Sequence, residues 1–483
     1  MKKRLNTLLL LSLTVAVFVS CDKNDDGNDA KETSSIDLKN HSVTPAYLSK
    51  KAGFEKLEIF SMLSSDDKLS ESPDFVYGSM ADGMGLIKLN DGTFSLINNI
   101  EADYSIARIT FDKTFKPVKG EYILNSDATA RTAQCSGSLI TVEEHGFGPL
   151  YLSGGEWGGA SKGVFATDPF KKADNAQLAS LLPALGQWST ENAVVLAKDA
   201  YASKTVVLIG DDTSDSTTPS GQLAMYVGNR GNLSSGKLYG LKVTTAGINF
   251  EMDMKEGTTY QAEFVEYSER TLDALETESR AKGIMGFSRV EDIDYRKGSA
   301  AANREIYFAV TGRKSTALTG KGTFYGRIYK VVLDANDPTK GTISCVLDGD
   351  NLTGIAKSFH SPDNVMVTKD YVYIMEDPNG YPDTPDKTHF AYLYQYNINT
   401  KTLKVVLECN QTAAETAGVG KASNLWELTG MIDVSETIGV EGSFLVITQN
   451  HGWEKPAFTD KKANPVTDSN EGSQLYLLKG LER

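Results

Sequence analysis

The residues able to do chemistry in this sequence are a cysteine close to paired acids, acids that recur at strand ends, and an arginine beside a glutamate. In RTAQCSGSLITVEEHG (131–146), Cys135 precedes Glu143 by eight residues and Glu144 follows directly. A thiolate beside carboxylates is a mixed sulfur and oxygen donor set for a metal ion; a cysteine in an apolar strand is otherwise an inert, buried thiol. Further along, Glu101, Glu191, Glu291, Glu376, Asp377 and Glu427 each stand where a short apolar run begins or ends. Taken singly, each is a solvated strand-end residue. If one fold gathers them, their mutual repulsion calls for hard cations, which carboxylate oxygens bind well. Arg289, two residues before Glu291, offers a guanidinium for an ion pair with Glu291 or Asp292.

The elements that must position these residues read as strands. From about residue 73 the chain consists mostly of β-branched and aromatic runs such as TVVLIG, EIYFAV, YVYIM and FLVIT, separated by Gly, Asp and Asn turns. Helical patterns are insertions, at 174–188 and 267–283. The strands fall into a loose unit in which an acid opens one strand and polar or acidic residues close the next. PDNVMVTKDYVYIMED is the clearest copy. Others start at Glu191, Glu291 and Glu427, and less regular ones at Asp82 and in SGSLITVEE. Six such units predict an all-β, six-bladed β-propeller with short helical insertions; two packed β-sandwiches are the alternative. In a propeller, the opening and closing acids meet at one mouth of the central channel.

Short motifs over residues 79–453 resemble the PhoX-like alkaline phosphatases: DGMG with NNIE (98–101), LITVEE, ENAVV with GDD, SRVEDI, SPDNV with EDPNG, and ITQNHG. The resemblance implies axial iron and calcium ions held by carboxylates and a cysteine, and hydrolysis of phosphate esters. Carried over motif by motif, it makes Glu144, Glu191, Glu291 and Glu376 metal ligands and Arg289 the phosphate contact. Cys135, Glu101, Asp377 and Glu427 complete the expected metal set. The family cysteine lies further upstream of the paired glutamates than Cys135 does, which keeps the inert-thiol reading of Cys135 open. Two other functions fit such a fold: a non-catalytic propeller that binds a ligand or partner, and a calcium-dependent lactonase using Asn192 and Asn364.

The N-terminus reads as an export signal over residues 1–20, with Lys2, Lys3 and Arg4 before an apolar run. FVSC resembles a bacterial lipobox, which would make Cys21 the acylated first residue of an outer-membrane lipoprotein facing the cell surface or the periplasm. Residues 21–45 read as an acidic tether, and 46–483 as one propeller domain, expected to be monomeric. Loss of the three basic residues takes the formal charge from −14 to −17, so nucleic acid is not an expected partner. With Cys21 acylated, an odd number of cysteines remains. Cys345 and Cys409 lie in apolar strands, as buried small side chains or a disulfide. The five histidines give no support to a Ser-His-Asp mechanism; His145, His360 and His451 read as polar loop residues.

Overall fold

The computed structural model describes residues 36–213, 215–378, 389–464 and 470–483. The export signal, Cys21, residues 21–35 of the tether and the end of EDPNG lie outside them. The compact unit starts at Ile36, earlier than the expected boundary at 46. Ile36 and Leu38 pack on the core, and the Asp37 amide donates to the Thr114 carbonyl at 2.9 Å.

The chain is all-β and forms a propeller-like ring of six antiparallel meanders. Blade one comprises Ala81–Lys88, Phe94–Ile100, Ser105–Phe111 and Pro117–Leu124; blade two has Thr132–Ile140, Leu150–Gly158 and Gly163–Thr167. Blade three is Thr190–Val195, Lys204–Asp211, Leu223–Asn229 and Lys237–Val243, and blade four is Val290–Tyr295, Glu305–Val310, Arg327–Leu333 and Lys340–Asp348. Strand Thr259–Glu266 pairs with the outer strands of both, fusing blades three and four into one sheet of nine strands. Blade five is Pro362–Val367, Tyr371–Glu376, Tyr392–Asn397 and Thr402–Cys409, edged by Leu48–Lys50. Blade six takes Glu427–Asp433, Ser443–Glu454 and Glu471–Lys479 from the C-terminus. Its outermost strand, Glu58–Ser64, comes from near the N-terminus and closes the ring.

Apolar layers lie between neighbouring blades. One joins blades three and four, another blades two and three, and a third blades one and six. Strands packed on both faces need continuous apolar runs rather than strict alternation, which is why TVVLIG is buried throughout. Cys345 and Cys409 are free, buried thiols in these layers. The helix expected within 267–283 forms at Leu272–Lys282, but 174–188 holds only single 3-10 turns at Ala173–Asn175 and Pro183–Leu185. Pro183 removes a backbone donor, and Gly186 takes a positive φ that ends the second turn.

Each innermost strand is bulged at its channel end. The ladder skips Asp82 and Gly83 in blade one, Cys135 and Ser136 in blade two, and Glu191 and Asn192 in blade three. The same occurs at Glu291 and Asp292, at Asp363 and Asn364, and at Gly430 and Met431. A bulge re-aims side chains. Here the second residue of the pair often bonds to another blade: Asn192 donates to Asp292, which accepts the Val365 amide at 3.0 Å, and Asn364 donates to Ser136 at 2.7 Å.

Glycines let the blades close up around these bulges. A Cβ on Gly154 would lie 2.1 Å from the Glu191 carbonyl oxygen, one on Gly210 2.5 Å from that of Glu291, and one on Gly83 2.1 Å from the Gly137 amide. Gly154→Ala is therefore expected to cost about 1–3 kcal/mol by overpacking, read as a lowered urea midpoint. An unchanged midpoint would show that the blades are not held this closely.

Candidate metal centre

The first bulge residues converge on the channel axis. Asp82, Cys135, Glu191, Glu291 and Asp363 come from five inner strands, and Glu427 joins them from the extended inner strand of blade six. A second group comes from the closing ends of the adjacent strands: Glu101, Glu156, Asp212 and Asp377. A recurring turn aligns the two groups. Met80, Arg289 and Ser361, each two residues before an inner-strand acid, adopt positive φ of 57°, 72° and 58°. Their carbonyls accept the amides of Glu101, Thr311 and Asp377, at 2.8, 3.2 and 2.9 Å; in blade three the Ser189 carbonyl accepts the Asp212 amide at 2.8 Å.

The donor atoms form three overlapping sets, each within 4.8 Å: Glu101, Cys135 and Glu156; Asp82, Cys135 and Glu191; Glu191, Glu291 and Asp363. Cys135 and Glu191 each belong to two of them. Cys135 Sγ lies 3.0 Å from Glu156 Oε2. Glu101 accepts Trp157 Nε1–H at 2.7 Å and Gln449 Nε2–H at 2.9 Å. Glu191 accepts the Ser136 amide at 3.1 Å, and Thr429 donates to Asp82. One Asp377 oxygen is buried with no hydrogen-bond partner among the described residues.

Nine carboxyls thus face one small volume, where Arg289 and His451 are the basic side chains among the described residues that act on them. Burial, then the neighbouring acids, pushes Asp82, Glu156, Glu191, Asp363 and Glu427 well above the carboxylate range. Glu291 is raised by burial although Arg289 opposes the shift, and Cys135 by burial and the surrounding acids. Without a compensating charge, the protonated forms of these groups are favoured. Hard cations at the overlapping oxygen sets, with one that accepts the Cys135 thiolate, would let them ionise. The donor chemistry therefore fits a metal cluster.

Arg289 is committed to two acids. Its Nε and Nη2 reach the Asp212 carboxylate at 2.7 and 2.9 Å, and Nη2 lies 2.8 Å from Glu291. The ion pair is with Asp212 and Glu291 rather than Asp292. Asn192 and Asn364 are engaged in ties between blades.

Two expected site residues lie elsewhere. Glu144 is part of a single helical turn, Val142–His145, capped by Thr141 at the far end of the first strand of blade two. It bonds Tyr295 and lies 3.6 Å from Lys297 in a cavity of about 900 Å³ at the opposite mouth of the channel. About five residues of strand, roughly 17 Å, separate it from Cys135. Glu376 precedes Asp377 and points the other way, as strand alternation requires. It accepts from the His360 and Tyr392 amides and the Tyr394 hydroxyl, and lies 2.8 Å from His389 Nε2 inside blade five. Blade two contributes Cys135 and Glu156 to the donor sets, and Glu144 to none of them. Glu156, which closes the second strand of that blade, went unread because SGGEWGG lacks the apolar run that marks other strands; Asp82, Asp212 and Asp363 were visible as unit openers and closers.

The PhoX alkaline phosphatase family model matches residues 164–436, more than half of the chain. The chain belongs to the PhoX alkaline phosphatase family. The matched span carries Glu191, Asp212, Arg289, Glu291, Asp363, Asp377 and Glu427, whereas Cys135 and Glu156 precede it. No curated protein matches the chain. Similar solved structures include the AfRom2 CNH domain, with 10% identity, TM-score 0.33, and coverage of 88% of this chain and 100% of that one. The Neurospora crassa Pan2 WD40 domain has 8% identity, TM-score 0.35, and coverage of 87% and 95%. A GH43 β-1,3-galactosidase has 11% identity, TM-score 0.34, and coverage of 86% and 94%. Likeness this slight carries no argument about function.

The raised carboxyls set a pH dependence. The fold without metal binds their protons more tightly than the unfolded chain does, so their contribution is greatest below the ordinary glutamate value of 4.5. It is lost as pH rises through the folded values. Chelator-treated protein is expected to lose Tm as pH rises above about 4.5, and added divalent metal to remove most of that slope. A pH-independent Tm gap between the two forms would contradict this.

Proposed function

We propose that this member of the PhoX family is a metal-dependent phosphate-ester hydrolase whose centre is the axial cluster around Cys135, Glu191 and Glu291. The observation that carries the reading is the overlap of the three donor sets at Cys135 and Glu191. Calcium suits the all-carboxylate set of Glu191, Glu291 and Asp363, and iron the sets containing the Cys135 thiolate. Bound metals would polarise the ester and activate water.

The chain's own residues bind and orient the phosphate. Arg289 stands at the rim between Asp212 and Glu291, and a guanidinium held in its plane by two carboxylates is preorganised to present its edge to phosphate oxygens. The positive φ at Arg289, uncommon for a residue with a long side chain, is consistent with a backbone held for function. Trp157 and Gln449 fix Glu101, and the Ser136 amide fixes Glu191, so the cluster is rigid before substrate enters. We further propose that Cys21 is acylated after signal cleavage, anchoring the enzyme in the outer membrane, and that the protein acts as a monomer on small phosphate esters.

Purified protein is expected to contain calcium and iron and to hydrolyse nitrophenyl phosphate. Glu191→Gln should lower kcat/KM at least ~100-fold with loss of both metals. Cys135→Ser should lower iron content and leave calcium in place. Elemental analysis and steady-state rates check both; absence of both metals from gently purified, folded protein would sink the reading.

A further inference from the structure

His451 is buried, 5% exposed, on the second strand of blade six, two residues beyond Gln449, whose amide grips Glu101. Its Nδ1 lies 2.8 Å from Glu471 Oε2, and the other oxygen of Glu471 accepts the Gly452 amide at 2.8 Å. Although burial pushes the Glu471 carboxyl up, these bonds and the His451 charge hold it below its ordinary value. An ionised carboxylate only accepts, so Nδ1 carries a proton and the ring orientation is fixed. The remaining nitrogen, Nε2, is buried with no hydrogen-bond partner among the described residues. An unpartnered buried polar atom is costly and points to something it meets in the working protein.

The acids that act on the imidazole besides Glu471 are Asp377 and Glu101, both of the axial cluster. His451 belongs to none of the three donor sets, so it stands beside the cluster rather than completing it. Burial disfavours the imidazolium, and the Glu471 carboxylate bonded to Nδ1 favours it. An imidazole oriented through Nδ1 by a carboxylate, with Nε2 left for the reaction, is the arrangement of a proton-transfer group.

We propose that His451, oriented by Glu471, is the proton donor to the leaving-group oxygen of the phosphate ester. The proposal rests on the hydrolase reading above. The bond between phosphorus and the leaving oxygen breaks, and its electron pair stays with that oxygen, which takes the Nε2 proton and departs as the alcohol. A water oxygen forms the new bond to phosphorus and gives its proton to solvent, and the neutral imidazole is reprotonated from solvent. Glu471 acts as a positioning residue.

The test compares two monoesters with the same phosphoryl group on metal-loaded enzyme. Nitrophenolate leaves without a proton, whereas the alkoxide of glycerol phosphate does not. His451→Gln is expected to lower kcat/KM on glycerol phosphate ~100-fold or more and on nitrophenyl phosphate less than about 10-fold, with metal content and Tm retained. Glu471→Gln should show the same asymmetry in weaker form, and the double variant should be no worse than His451→Gln alone. Equal losses on the two esters, or loss of metal from folded His451→Gln, would overturn the proposal while leaving the hydrolase reading intact. Failure of metal-loaded wild-type protein to hydrolyse either ester would remove both.

Discussion

The repulsion among carboxyls crowded onto one axis is the constraint around which the molecule is organised. Nine of these groups and a thiol lie close together, and burial raises Asp82, Glu191, Glu291 and the Cys135 thiol above their ordinary values. A fold does not assemble such a centre for its own stability, because apolar residues in the same volume would cost far less. Its neutralising elements sit at the edges: Arg289 on the Asp212 and Glu291 side, His451 on the Glu101 and Asp377 side.

The same bulges that create this crowding also hold it in place. In five blades the bulge splits a pair of neighbours, sending the first to the axis and in several of them the second into bonds with another blade, as at Glu191 and Asn192 or Asp363 and Asn364. Donor positions are therefore fixed by the ring as a whole and not by single loops, which is how a site keeps its geometry before its metals arrive. Thr429 shows the coupling at its tightest, since its hydroxyl contacts both Asp82 of blade one and Asn364 of blade five.

The two ends of the channel differ in chemistry. At one, acids dominate. At the other, Glu144 is offset by Lys297, whose charge is also shared with Asp294 at 2.9 Å and lies 3.4 Å over the Tyr295 ring. Glu144 is accordingly held below its ordinary value: burial raises it, but Lys297 and its other neighbours outweigh that. Glu144 is thus paired with a cation of the chain itself.

Much of the fold was legible in the chain, because apolar strands with turn residues at regular intervals recur along it and an acid opens most units. That rhythm alone located Glu191, Glu291, Asp363 and Glu427 at strand openings, and the family motifs between residues 164 and 436 agree with the match found there. Three things were decided only in three dimensions. The facing of neighbours such as Glu376 and Asp377 depends on strand register, which a shift of one residue inverts. The substitution of Cys135 for an acid in blade two depends on a bulge that no local propensity encodes. The partnership of His451 with Glu471 joins residues of adjacent strands that lie 20 positions apart in the chain. Composition and period determine which strands form; where a side chain points is settled by the register and bulges those strands adopt when they pack into a ring.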